Sequence, residues 1–184
     1  LQGQGECEKA IVLYKELIAE FPEKLRILQQ MNACYETLDK HSEMISFLNE
    51  QLQKNKDNIA ATFVLSDSYI ATKKYNTAVK LLNGLVERQP KSVLARQKLA
   101  KIYIALGKTN EAILVYQQGL EVFSGNIRLS LSLASLHEQQ KAFDKSVQIY
   151  EQLHAHYPDL EVVNNNLAIL LVEHYPTDEN ATIA

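Results

Sequence analysis

A turn signal recurs at a fixed interval along this chain, and that period constrains the fold more than any other feature. Pro22, Pro90 and Pro158 are equally spaced, at an interval of 68, twice 34. At the two skipped positions stand Lys56, within Asn55-Lys56-Asp57-Asn58, and Ser124, within Ser124-Gly125-Asn126. Both segments are turn formers, because Asn, Asp, Ser and Gly offer local hydrogen bonds or left-handed backbone. A turn therefore falls at each of positions 22, 56, 90, 124 and 158. A period of this size marks an array of stacked supersecondary units, not a single globular core.

Frames opened at 25, 59, 93, 127 and 161 align the chain in columns. The seventh column reads Met31, Leu65, Leu99, Leu133, Leu167, and the eighth Asn32, Ser66, Ala100, Ala134, Ala168. The eleventh reads Tyr35, Tyr69, Tyr103, His137, Leu171. The twentieth reads Met44, Ala78, Ala112, Ser146, with Ala10 before them, and the twenty-fourth Tyr14, Leu48, Leu82, Tyr116, Tyr150. Within a frame, apolar residues recur at three- and four-residue spacing, as in Leu99, Ile102, Tyr103, Leu106 and then Ala112, Val115, Tyr116. That pattern writes two amphipathic helices per frame. The expected spans are 6–20, 24–38, 42–54, 58–72, 75–88, 92–106, 109–122, 126–140, 143–156 and 160–174. Asp39, Lys73, Gly107 and Lys141 mark the turn between the two helices, and glycine there frees the chain for positive φ.

These columns resemble the tetratricopeptide repeat, whose pattern asks for a large residue, Leu-Gly or Leu-Ala, Tyr, Ala, Phe or Tyr, and Pro at these places. The match spans nearly the whole chain, and 93–126 is its best copy, with Leu99-Ala100, Tyr103, Gly107, Ala112 and Tyr116. The resemblance implies an all-α fold, a right-handed superhelical solenoid of antiparallel helix pairs with about ten helices. Its boundaries are an array over 1–176. Residues 1–24 supply the second helix of a truncated repeat, 25–58, 59–92, 93–126 and 127–160 are full repeats, and 161–176 is the first helix of another. Residues 177–184 open a further helix, with Thr177 as its cap, or form a tail. Both ends cut through repeats, so the chain reads as an internal slice of a longer, bacterial array with self-associating ends. Two departures stand out. The fourth column, Leu28, Thr62, Arg96, Ser130, Asn164, lacks the usual Trp. Asn32 and Met44 replace small apolar residues, so that repeat packs less closely or Asn32 has a partner.

The resemblance also implies where a ligand sits. In this family the first helix of each repeat lines a concave groove, and columns two, five, nine and twelve, with six and thirteen beside them, hold the ligand. The central positions are Phe63, Asp67, Ile70, Leu94, Gln97, Lys98, Lys101 and Ile104. Apolar anchors among a few charges suit a peptide or helix segment. The same side chains equally fit burial beneath long neighbours. The carboxylate clamp of chaperone-binding members is absent, since column nine holds no Asn. An asparagine ladder at column six is absent too, with Asn166 alone.

Function then reads as a non-catalytic scaffold for a protein or peptide partner. The alternatives are a structural spacer in a bacterial exopolysaccharide-secretion or surface-protein-sorting assembly, and substrate-selecting repeats of an enzyme whose catalytic domain lies elsewhere. The compartment, cytoplasmic or periplasmic, stays open. A net charge of −3 without basic runs argues against nucleic acid. The longest apolar run, Leu167–Val172, is six residues, which inserts no span in a membrane. No cofactor or metal is expected. Gly107-Lys108-Thr109 lacks the earlier glycine of a phosphate loop and sits in a helix turn. His137 occupies a packing column, and His154 and His156 point to different helix faces. Cys7 and Cys34 fall in adjacent helices and read as two small buried hydrophobes. The Asn180-Ala181-Thr182 sequon is a short chance-level match.

Overall fold

The computed structural model describes residues 2–175, which form ten α-helices and, among the described residues, no strand. They are α1 (Gln2–Glu20), α2 (Leu25–Thr37), α3 (His41–Lys54), α4 (Ile59–Ala71), α5 (Tyr75–Arg88), α6 (Val93–Ala105), α7 (Thr109–Val122), α8 (Ile127–Gln139), α9 (Phe143–His156) and α10 (Glu161–His174). The chain is thus an all-α helical repeat solenoid. From α2 to α10 every helix starts and stops within one residue of its expected span, while α1 starts four residues earlier, at Gln2. The expected cap at Thr177, the segment 177–184 and the sequon at Asn180 lie outside the described residues.

The later starts of α4, α6 and α8 have a capping origin. Asn58, Ser92 and Asn126 stand just outside α4, α6 and α8 and accept from Ala61 N, Ala95 N and Leu129 N at 2.9, 3.4 and 3.0 Å. Each satisfies one of the backbone donors that a helix start leaves without a partner. The turn inside each repeat is equally regular. Asp39, Lys73, Gly107 and Lys141, one period apart, have φ of 56, 58, 71 and 56°. The next residue in each case donates its N–H to a carbonyl five residues back: Lys40 to Tyr35, Lys74 to Tyr69, Lys108 to Tyr103 and Ala142 to His137, at 2.7–2.8 Å. This is the left-handed helix closure that uses the last free carbonyls.

The chain divides into two compact units, Leu1–Gln89 and Pro90–Ala184. In the first, α1 packs on α2, α3 on α4 and α4 on α5, and α2 also touches α3 and α4. Its core gathers Ile18, Leu28, Met31, Tyr35, Met44, Leu48, Val64 and Leu65. In the second, consecutive helices from α6 to α10 pack on one another. Tyr150, Leu153, Val163 and Leu170 form the core around α9 and α10. Phe143 stacks on His174 with ring centroids 3.6 Å apart, and the Tyr175 hydroxyl donates to Asp144, which ties the end of α10 to the start of α9. Apolar side chains remain exposed on α1 (Val12, Leu13, Leu17) and α10 (Val162, Ile169, Val172).

The fourth column shows what replaces the missing Trp. Arg96 is buried, and its Nε and Nη2 donate to Pro90 O at 3.1 and 2.9 Å, its Nη1 to Val115 O at 3.3 Å. Asn164 reaches the equivalent carbonyl, Pro158 O, at 2.7 Å. The Arg96 side chain crosses α7 where Gly119 stands. A Cβ on Gly119 would lie 2.7 Å from Arg96 Cδ and 2.8 Å from Leu129 Cδ1. The guanidinium is pinned at both carbonyls, so its stem cannot swing aside freely.

Two glycines therefore make a signed test. A Gly→Ala change inside a helix, where the added methyl meets no clash, ordinarily stabilises by up to about 1 kcal/mol. Gly84→Ala in α5, whose added Cβ meets only Arg88 Nη1 at 3.4 Å, is expected to do so. Gly119→Ala is expected to destabilise by about 1–3 kcal/mol through overpacking. Urea denaturation reads both, and stabilisation by Gly119→Ala would contradict the Arg96 packing. Lys73→Gly, which relieves a left-handed side chain, is expected to stabilise by about 0.5–1 kcal/mol in the same assay.

Candidate functional site

The columns expected to hold a ligand fall on α2, α4, α6, α8 and α10. In unit 1 the expected anchor fails. Phe63 is 2% exposed and offers no surface. Its helix is packed by α2, α3 and α5 together, and eight of its residues are buried. The polar–apolar division that leaves a helix face open is missing from Ile59-Ala60-Ala61-Thr62-Phe63-Val64-Leu65. Asp67 and Ile70, four and seven residues on, are half-buried.

Unit 2 keeps its ligand columns open. On α6, Leu94 is 44% exposed and Lys101 is exposed, two turns apart on one face. Gln97, Lys98 and Ile104, between and beyond them, are half-buried, and Gln97 Nε2 donates to Ser132 Oγ of α8 at 3.4 Å. Columns two and nine are exposed again in α8 (Arg128, Ser135) and in α10 (Val162, Ile169). Side chains one period apart thus repeat one exposed row on three helices.

Each unit also holds a buried polar network. In unit 1, Asn32 of α2 accepts from Ser68 Oγ of α4 at 2.8 Å, and its amide donates to Glu36 Oε1 at 2.7 Å. Asn32 therefore does have a partner, and the departure at column eight was its signal. In unit 2, the Tyr150 hydroxyl of α9 donates to Glu138 Oε1 of α8 at 2.8 Å and accepts from Asn166 Nδ2 of α10 at 3.2 Å. Burial, then the hydrogen bond and charge of Glu138, push the Tyr150 hydroxyl well above the ordinary tyrosine value. His137 is buried, and desolvation, aided by Lys145, lowers its pKa, as suits a packing imidazole.

Among the described residues no three His, Cys, Asp or Glu side chains gather to hold a metal, and no helix is long and apolar enough to cross a membrane. Gly107 takes φ of 71° at the turn between α6 and α7, and Lys108-Thr109 begin α7, so this segment closes a helix. Cys7 and Cys34 are both half-buried and free.

Comparison with known proteins follows the same lines. Two models described as tetratricopeptide repeat match residues 39–122 and 130–160, together more than half of the chain. None of the curated proteins matches it. A tetratricopeptide repeat protein from Parabacteroides merdae ATCC 43184 superposes with a TM-score of 0.57 at 18% identity, covering 100% of this chain and 78% of that one. A thermophilic TPR protein of Thermus thermophilus gives 0.57 at 16%, covering 91% and 92%. YrrB, described as a TPR protein with an unusual peptide-binding site, gives 0.54 at 10%, covering 92% and 88%. At such identities the likeness is one of fold.

Tyr150 and His137 act on stability at opposite ends of the pH range. Unfolded tyrosine ionises near pH 10 and unfolded histidine near 6.5. Tyr150 is raised in the folded chain, so its contribution is complete below about pH 10 and is lost as pH rises from there through the higher folded value. His137 is lowered, so its contribution is complete above about pH 6.5 and is lost as pH falls. Tyr150→Phe is expected to cost about 1–2 kcal/mol at neutral pH, with Glu138 and Asn166 left short of a partner. It is also expected to flatten the alkaline limb of a plot of thermal midpoint against pH. An alkaline limb as steep as wild type would exclude Tyr150 as its source.

Proposed function

Because this chain belongs to the tetratricopeptide repeat family, we propose that it is a non-catalytic scaffold that takes a peptide or helical segment of a partner protein on the open faces of its first helices. The family and fold support a protein-interaction role in general. The observation that carries the finer reading is the exposed row at columns two and nine in unit 2. Leu94, Val162 and Ile169 stand exposed at those columns on α6 and α10, apolar surface that a bound segment would cover.

The composition of that row favours a particular ligand. Leu94 and half-buried Ile104 offer an apolar seat, and Lys101 stands between them on α6 with Lys98 beside it. A few buried anchors dominate such interfaces, charge pairs add specificity, and rim contacts contribute little. An apolar side chain flanked by a carboxylate is the segment this face fits. A peptide as ligand class also agrees with the description of YrrB. Phe63 has no place in this reading, because it is buried.

The test is an affinity pull-down in which wild type stands beside Leu94→Ala/Lys101→Glu, with Leu114→Ala on exposed α7 as the control surface. The retained partner's segment is then synthesised and titrated by fluorescence anisotropy. The double variant is expected to stay helical and to lose at least about tenfold in affinity, the effect of removing one anchor. The control is expected to bind as wild type. Equal binding by all three proteins would refute the α6 face as the ligand site.

A further inference from the structure

The two cysteines stand on either side of one helix turn in sequence and meet in space. Helices α1 and α2 run antiparallel through the turn after Phe21 and pack along one another. Cys7 lies in the first half of α1 and Cys34 in the second half of α2, so the hairpin sets them opposite each other. Cys7 is the neighbouring group that acts on the Cys34 thiol across these packed helices. Neither sulfur-bearing residue is sealed in the core. Both are half-buried, with Cys34 at the margin of the unit 1 core cluster. Two free, half-buried thiols facing each other across packed helices are more than two small apolar fillers.

We propose that Cys7 and Cys34 form an oxidation-responsive pair that a disulfide-class oxidant, such as oxidised glutathione, converts into a disulfide stapling α1 to α2. The balance is a two-electron exchange in two steps. A cysteine thiolate attacks one sulfur of the oxidant, forming a mixed disulfide and expelling one glutathione thiolate. The second cysteine then gives up its proton, attacks the protein sulfur of that mixed disulfide and expels the second glutathione. Two protein thiols are oxidised to one disulfide, and one oxidised glutathione is reduced to two thiols.

Burial first, then the hydrogen bond and charge of Cys7, push the Cys34 thiol up. The thiolate is the attacking species, so whichever thiol ionises opens the exchange and the other, across the same helix pair, resolves it. The staple closes a loop that holds the whole turn between α1 and α2. It restrains α1, whose Val12, Leu13 and Leu17 are exposed, against the rest of unit 1.

The experiment treats reduced protein with excess oxidised glutathione, blocks remaining thiols with N-ethylmaleimide and reads the intact mass without reductant. Wild type is expected as a monomer lighter by about 2 Da, with no adduct, as internal exchange requires. Cys7→Ser and Cys34→Ser are each expected to hold a single glutathione that does not leave. Non-reducing peptide mapping of the wild type, which does not depend on the variants folding, is expected to link the peptides that carry Cys7 and Cys34. Amide exchange in α1 is expected to slow at least about tenfold on oxidation, since the staple suppresses its local opening. Wild type that retains glutathione on each cysteine, forms covalent dimers or remains fully reduced would overturn the proposal.

Discussion

Two helices pack as a repeat only if their axes come close where they cross, and the small residues of columns eight and twenty permit that approach. Ala100 and Ala112 are fully buried, as are Ser66 and Ala78. Ala134 and Ser146 show how close the backbones come: Ser146 Oγ of α9 donates to the Ala134 carbonyl of α8 at 2.9 Å. Once the axes are set at this distance, the larger columns have a fixed volume to fill. Leu65, Leu82, Leu99, Tyr116, Leu133 and Tyr150 do so, each 5% exposed or less. The caps and left-handed turns then close helices whose length the period has already decided.

Departures from this scheme are answered locally. Asn32 and Met44 bring bulk and polarity to positions that elsewhere hold small residues, and both are buried. The polar atoms of Asn32 find Ser68 on α4 and Glu36 one turn away, so burial leaves neither donor nor acceptor unmet. Arg96 brings a long cation to a position where the family has an aromatic. Its charge is met by two backbone carbonyls and its stem by the bare backbone of Gly119. A large residue is matched by a missing side chain, and a polar one by a polar neighbour. A period fixes only the average occupant of a column.

Helix positions were legible because the repeat period and the three-four spacing of apolar residues both register the backbone. The same columns identified His137 as a packing residue and Gly107 as a turn. Side-chain exposure was less legible. Phe63 and Leu94 occupy nearby ligand columns in successive repeats, yet one is buried and the other is 44% exposed. Exposure depends on how many neighbours enclose a helix, and α4 is enclosed by α2, α3 and α5. Column arithmetic carries no count of neighbours. Contact between Cys7 and Cys34 was illegible for a related reason: adjacency of two helices follows from the repeat, but the meeting of two particular sulfurs depends on rotamers. Tyr150, Glu138 and Asn166 sit in three different columns and gave no joint signal.

The hydrogen bonds that cross between helices reach only into the next repeat. The longest described above, Ser68 to Asn32, spans 36 residues, and the Asn58 amide reaches Pro22 O over the same separation. The chain therefore never has to close a large loop in order to gain a stabilising contact, and the entropic barrier to each new contact stays small. Folding can begin in whichever helix pair orders first and spread outward by one neighbour at a time. Damage obeys the same locality. A lesion in one repeat weakens the interfaces on its two sides first and reaches distant helices only through the neighbours between.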